Sequence, residues 1–255
     1  MPDLRVATIL PIPFLSVERD AGYHMCLAHL MHLPEYGDFF RSVTDDGQFV
    51  LMDNGVVETG EPLPFAELLH IARMHNVTQM TLPDKIRDAK ATLDLHHDAI
   101  RRTKGRHPSL MAIPQGKDLS CWRKCAREMV ERADGWGVRA IGITKFLEGM
   151  VTKRSDAILS VPEIMDSGLD IHLLGTMGDD PTEIYHSAQA LRGHVRGADS
   201  GMAAIWTQAG LVVGDAPRPR IELDFMEGGI PEGYNQELLV LNRRRWLRAV
   251  QGGHL

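Results

Sequence analysis

The feature that most constrains this chain is an alternation kept up over most of its length. A short apolar run with strand character is followed by a longer stretch with apolar residues at helical spacing, and then the pattern repeats. Strand-like runs fall at residues 6–10, 48–52, 77–82, 109–113, 140–143 and 171–174. Helical spacing is read at 24–32, 64–75, 88–102, 119–133, 156–165 and 181–191. In 64–75, Phe65, Leu68, Leu69, Ile71 and Ala72 share one side. Gly135 and Gly137 close the 119–133 stretch, and Asp180 with Pro181 reads as the N-cap and first turn of 181–191. Crossover helices require neighbouring strands to run parallel. Roughly seven or eight such units favour an α/β fold, a TIM-like (β/α)8 barrel, with a doubly wound open sheet as the rival.

The barrel is expected over about residues 1–214. After Gly214 the alternation stops at a proline-stiffened loop, Asp215 to Arg220, and residues 234–251 read as a terminal helix. Residues 215–255 are therefore expected as a helical extension packed across the barrel within a single domain, 1–255. Cys26, Cys121 and Cys125 are too few, and odd in number, for a disulfide framework, which points to a reducing, cytoplasmic compartment. The apolar run from Arg5 to Pro11 is too short for a membrane span or a signal core. A net charge of −6 does not mark the chain as a bulk nucleic-acid binder. Two local clusters are basic: Arg101, Arg102, Lys104, Arg106 and His107, and Arg243, Arg244, Arg245 and Arg248. Each reads either as a solvated helix face or as a patch that tracks phosphates.

In a parallel barrel the residues that follow each strand meet at one mouth. Read in order, those positions are Asp53, Asn54 and Glu58; Asp84; Gln115 and Gly116; Gly142, Ile143 and Lys145; Leu174 and Gly175; and Asp199 with Ser200. Acids, an amide and glycines suit a flat hydrogen-bonding heterocycle better than a phosphate cradle. Two carboxylates, Asp199 and Asp53, suit chemistry at a sugar carbon, one attacking and the other handling a proton. Plainer readings stand beside these. Asn54-Gly55 is also a hairpin signal that Asp53 could open. Asp84 and Asp199 could be helix N-caps, Gln115-Gly116 an ordinary loop, and Lys145 an exposed or ion-paired lysine rather than a Schiff-base former. Cys121 and Cys125 share a helical face but lack a second ligand pair, and His24, His29, His32, His96 and His97 lack a ligand frame, so no metal site is expected. His29 and His32 are read as packing or surface residues on one helical face. No P-loop or Rossmann glycine fingerprint is present.

At these residues the chain resembles the tRNA-guanine transglycosylase superfamily, and within it the compact phage and bacterial branch that acts on DNA. The resemblance runs from about Val6 to Gly210. Asp53-Asn-Gly-Val-Val-Glu58 stands where the superfamily has Asp-Ser-Gly-Gly-Phe-Gln, and Pro83-Asp84 resembles the element with the base-recognising aspartate. Ile113-Pro-Gln-Gly116 resembles the Val-Gln-Gly motif, Ile141-Gly-Ile143 the glycine-containing base-binding strand, and His172-Leu-Leu-Gly175 the Leu-Met-Gly strand. Asp199 then falls at the nucleophile position. The superfamily's zinc site with three close cysteines has no counterpart, since no cysteine follows Cys125. Asn54, Val56 and Val57 also replace the family's small and aromatic residues.

The resemblance implies exchange of guanine in DNA for a 7-deazaguanine such as 7-cyano-7-deazaguanine, without strand cleavage or cofactor. Asp199 and Asp53 would be catalytic. Asn54, Glu58, Asp84, Gln115, Gly116, Gly142, Ile143, Leu174 and Gly175 would bind the base, and a homodimer is an expectation of the family. Three alternatives remain open at this level: tRNA as substrate, a non-catalytic subunit that holds base and DNA, and a Lys145-dependent barrel aldolase.

Overall fold

A computed structural model describes residues 4–102, 107–215, 217–232 and 234–253. Eight parallel strands follow one another around a barrel: β1 (Arg5–Thr8), β2 (Tyr23–Leu27), β3 (Phe49–Asp53), β4 (Gln79–Thr81), β5 (Ser109–Ala112), β6 (Val138–Thr144), β7 (Asp170–Leu174) and β8 (Val195–Ser200). Ladders join β2 through β8 in chain order, and β8 returns to β1 with Ala7 opposite Asp199. Among the described residues β1 and β2 are neighbours without a ladder, so the (β/α)8 barrel is nearly closed. Helices form the outer ring, and a C-terminal helix, Gln236–Val250, packs on the helix Met202–Gln208 that follows β8. No helix among the described residues is long and apolar enough to cross a membrane.

The period of two in the strands decides what fills the barrel. Ala7, Met25, Leu51, Met111, Ile113 and Leu174 belong to one buried cluster inside it. Continuing that parity past Leu51 puts Asp53 on the inner side at the strand end, and continuing past Met111 and Ile113 does the same for Gln115. Residues of the opposite parity, such as Val50 and Met52, pack outward against the helices.

Four local readings of the sequence are corrected. Residues 24–32 are not a helix: Tyr23–Leu27 is a strand buried at all five positions, followed by a 3-10 turn, Ala28–Leu30. A strand buried on both faces carries no polar alternation, so its apolar spacing cannot be told from that of a helix. The actual helix of that unit is Pro34–Asp45, with proline in its first turn. The expected helix over 156–165 is two short ones, Arg154–Leu159 and Pro162–Asp166, because Val161, next to Pro162, leaves the helical region with φ −130° and ψ 77°. Asp180 is not the N-cap of Glu183–Ala190; its carboxylate accepts from the Thr182 N–H and hydroxyl in a local turn. The helix Leu119–Trp136 also runs through Gly135 and stops at Gly137, whose φ of 68° supplies the left-handed cap.

The two ends of the barrel are built differently. At the N-terminal end Arg196 crosses the floor. It donates to Asp170 at 2.9 Å and to Gln79 Oε1 at 2.6 Å, and lies 4.9 Å from the centre of the Phe49 ring. At the C-terminal end the barrel opens into a cavity of about 450 Å³.

Candidate active site at the barrel mouth

Asp53, Glu58, Asp84, Gln115, Leu174, Gly175 and Asp199 all line this one cavity. They arrive from β3, β4, β5, β7 and β8, whose C-terminal ends converge there. Asn54, Gly116, Gly142 and Ile143 do not line it. Asn54 is fully buried behind Asp84, and Ile143 packs outward against the helices. A Cβ on Gly142 would lie 2.7 Å from Leu174 Cδ1, and one on Gly116 would lie 2.4 Å from the Trp122 backbone nitrogen. Both glycines therefore serve close packing within the protein.

Asp53 does not open a hairpin. Gly55 has a φ of 78°, the Gly55 N–H donates to Asp53 Oδ2 at 2.9 Å, and the chain continues into a short helical turn, Val56–Thr59. That turn brings Glu58 to the cavity. Burial pushes the Asp53 carboxyl well above the usual carboxylate range, and the nearby Glu58 adds to the shift. Burial raises Glu58 as well. Burial and Glu58 both favour the protonated, proton-donating form of Asp53.

Asp84 caps no helix. Its Oδ1 accepts from the Asn54 amide at 2.7 Å and its Oδ2 from the Gln115 amide at 2.7 Å. Asn54 also donates to the Leu82 carbonyl and accepts from the Val56 N–H, while Gln115 Oε1 accepts from the Arg87 N–H. The two amides thus fix the plane of the Asp84 carboxyl. Each of its oxygens keeps a second lone pair for a ligand N–H. Burial raises its pKa to about 6 against the pull of those two hydrogen bonds.

Asp199 is the fifth residue of β8 and is 4% exposed. Its Oδ1 is 2.9 Å from His172 Nε2, and its Oδ2 accepts from the Gly175 N–H at 3.3 Å. Asp199 does not cap the next helix; Ser200 Oγ accepts the Met202 N–H there. Arg154, wholly buried, donates to the carbonyls of Ile143, Leu174 and Gly175 and pairs with Glu183. It therefore ties the ends of β6 and β7 together and sets where Gly175 and Lys145 stand.

Several cavity residues were not singled out by sequence. His29, expected as a packing or surface residue, faces the cavity from the 3-10 turn after β2, and its buried Nδ1 has no partner among the described residues. Arg218, Ile221, Leu223 and Phe225 come from the irregular segment after the barrel and form one wall. The only advance signal for that wall was the break in alternation after Gly214. Lys145 lines the cavity without an ion pair among the described residues, and burial, with Arg218 nearby, lowers its pKa.

The basic clusters lie elsewhere. Arg243 pairs with Glu18 and Arg245 with Asp215, whereas Arg244 and Arg248 are exposed. Arg243 also lines a separate shallow cavity around Arg5, Gly22 and Thr78, at the N-terminal ends of the strands. Arg101 and Arg102 pair with Asp98, while Lys104 and Arg106 lie outside the described residues. Among the described residues no group of three or more His, Cys, Asp or Glu is placed to hold a metal ion. Comparison with protein-family models and with curated proteins gave no match, so the geometry of the mouth and the motif resemblance carry the functional reading.

Proposed function

We propose that this protein is a transglycosylase that replaces guanine in DNA with a 7-deazaguanine through a covalent aspartyl-sugar intermediate. The observation that carries the reading is the shared cavity: Asp199, held by the Gly175 N–H and the His172 ring, and Asp53, whose protonated form burial favours, face the same space. Asp84 stands beside them with lone pairs suited to the N–H donors of a guanine-like edge.

In the first half-reaction an Asp199 oxygen forms a bond to C1′ as the C1′–N9 bond breaks, and the electron pair leaves with the base. Asp53 gives the leaving guanine its proton and becomes a carboxylate. In the second half, that carboxylate takes the ring N–H proton of the deazapurine, whose nitrogen attacks C1′ and releases Asp199. Atoms, charge and the Asp53 proton return to their starting state, and two inversions give net retention. The target nucleotide must leave the stack to present C1′. Lys145 and Arg218 at the rim would face its flanking phosphates.

The test is incubation with duplex DNA and 7-cyano-7-deazaguanine, digestion to nucleosides and mass spectrometry, with tRNA in parallel. Deazanucleoside in DNA, lost in Asp199→Ala, supports the reading. Product only in tRNA moves the substrate to tRNA, and base binding without exchange makes the chain a binding subunit. A second reading is favoured by Lys145, a depressed, unpaired lysine in the cavity: Schiff-base chemistry on a carbonyl substrate, which borohydride trapping would reveal.

A further inference from the structure

One line of polar contacts runs through the interior of the barrel from its floor to its mouth. Arg196 Nη2 lies 3.4 Å from the Tyr23 hydroxyl, that hydroxyl 2.8 Å from His172 Nδ1, and His172 Nε2 2.9 Å from Asp199 Oδ1. His172 is 0% exposed and Tyr23 2%, so both lie away from bulk solvent. With a singly protonated imidazole, the chemistry of the two ends sets the direction of every bond. Arginine only donates, and an ionised carboxylate only accepts. Arg196 therefore donates to the Tyr23 oxygen, Tyr23 donates to His172 Nδ1, and the His172 proton sits on Nε2, where it is given to Asp199.

We propose that His172, held in its Nε2–H tautomer by Tyr23, is a positioning residue that pins Asp199 Oδ1 and leaves Oδ2 as the oxygen that meets the substrate carbon. The inference rests on the reading of Asp199 as nucleophile and deepens it. With Oδ1 bound to the imidazole, rotation of the carboxylate about its last bond is restrained, and among the described residues only the longer 3.3 Å contact from Gly175 N–H holds Oδ2. After Oδ2 is alkylated, Oδ1 is an ester carbonyl that still accepts from Nε2–H. The same donor then steadies the carboxylate that re-forms as the second base attacks.

Burial and the charged neighbours of the imidazole together disfavour a second proton on it. Burial pushes His172 down, Arg196 and Arg154 oppose a second proton, and only Asp199 favours one. Tyr23 stays a donor because burial lifts its phenol to about 12 despite Arg196. Glu183, the remaining acid near Arg154, is occupied by that arginine.

Two readouts on the full-length chain test the proposal. The first is the 15N shift pattern of the histidine rings, with His172 assigned from its loss in His172→Gln. The expected pattern is a neutral ring protonated at Nε2 across pH 6–8, and protonation at Nδ1 would overturn the proposal. The second compares His172→Leu with His172→Gln, whose amide N–H can reach the same oxygen. His172→Leu is expected to slow exchange at saturating substrate by about 10²-fold, the scale of a misplaced reacting group. Its affinity for the free base should stay within about twofold, and His172→Gln should recover most of the lost rate. Equal impairment of both variants, or loss of base affinity in step with rate, would mean a merely structural histidine and would overturn it. A wild-type chain with the Nε2–H ring that exchanges no base into DNA or tRNA would sink the exchange reading while upholding the tautomer lock.

Discussion

The floor and the mouth of the barrel are made by the same eight strands, yet they dispose of charge in opposite ways. At the floor, the charge of one arginine is met by Asp170, Gln79, Tyr23 and Phe49. At the mouth, Asp53, Glu58, Asp84 and Asp199 are gathered around a cavity, and the cations nearest them, Lys145 and Arg218, make no ion pair among the described residues. Burial raises the pKa of Asp53, Glu58 and Asp84, an arrangement that costs stability and marks sites selected for chemistry or binding. The floor reads as structure and the mouth as function. The buried Tyr23–His172 pair links the two ends.

Mutations should separate the two ends. The largest effect is expected for Asp199→Asn, which should lower exchange by roughly 10³-fold or more in the nucleoside assay while changing unfolding free energy by less than about 1 kcal/mol. A fall in stability to match the lost activity would mean that Asp199 belongs to the structural half. Arg154→Met should show the reverse hierarchy. It strips the carbonyls of Ile143, Leu174 and Gly175 of a donor and leaves Glu183 uncompensated, so urea denaturation should show a loss of about 3 kcal/mol.

Arg196→Met at the floor is milder, because Asp170 is half exposed and can be rehydrated. About 2 kcal/mol of stability is expected to be lost, with free-base affinity unchanged by calorimetry. A large change in affinity would break the division between the ends.

The pH response sharpens the comparison further. Asp84 must be ionised to accept ring N–H donors, and its pKa is raised to about 6. Base affinity should therefore fall as pH drops through about 6, whereas fold stability should rise over the same range. The sign follows from the raised value: between the ordinary carboxylate range and about 6 the folded state binds the proton that the unfolded state has released. Titration calorimetry and denaturation from pH 5 to 8 would check both slopes. The smallest effect is expected for Arg244→Ala with Arg248→Ala. These residues are exposed, and the pair should leave stability within about 0.5 kcal/mol. If the terminal helix touches DNA, the salt dependence of DNA binding should become shallower.

Most of the barrel was legible in the sequence because crossover helices at regular intervals allow little besides parallel strands, and the fall of Asp53, Asp84, Gln115, Gly175 and Asp199 after successive runs placed them at one mouth. Strand β2 was not legible, because Tyr-His-Met-Cys-Leu is buried on both faces and its pattern has no period to read. That one misreading hid Tyr23 and, in the turn just after the strand, His29.

The sequence by itself determined the order of elements and the strand-end residues, since both follow from local spacing and from the rule that parallel strands end at a common face. Only the tertiary structure decided which polar groups answer one another. Asn54 and Gln115 are spent on orienting Asp84, Arg154 binds the ends of two strands, and His172 meets both Tyr23 and Asp199, which lie 149 and 27 positions away. Hydrogen-bond partnership depends on distances of a few ångströms across the barrel, and no local pattern in the chain encodes those distances.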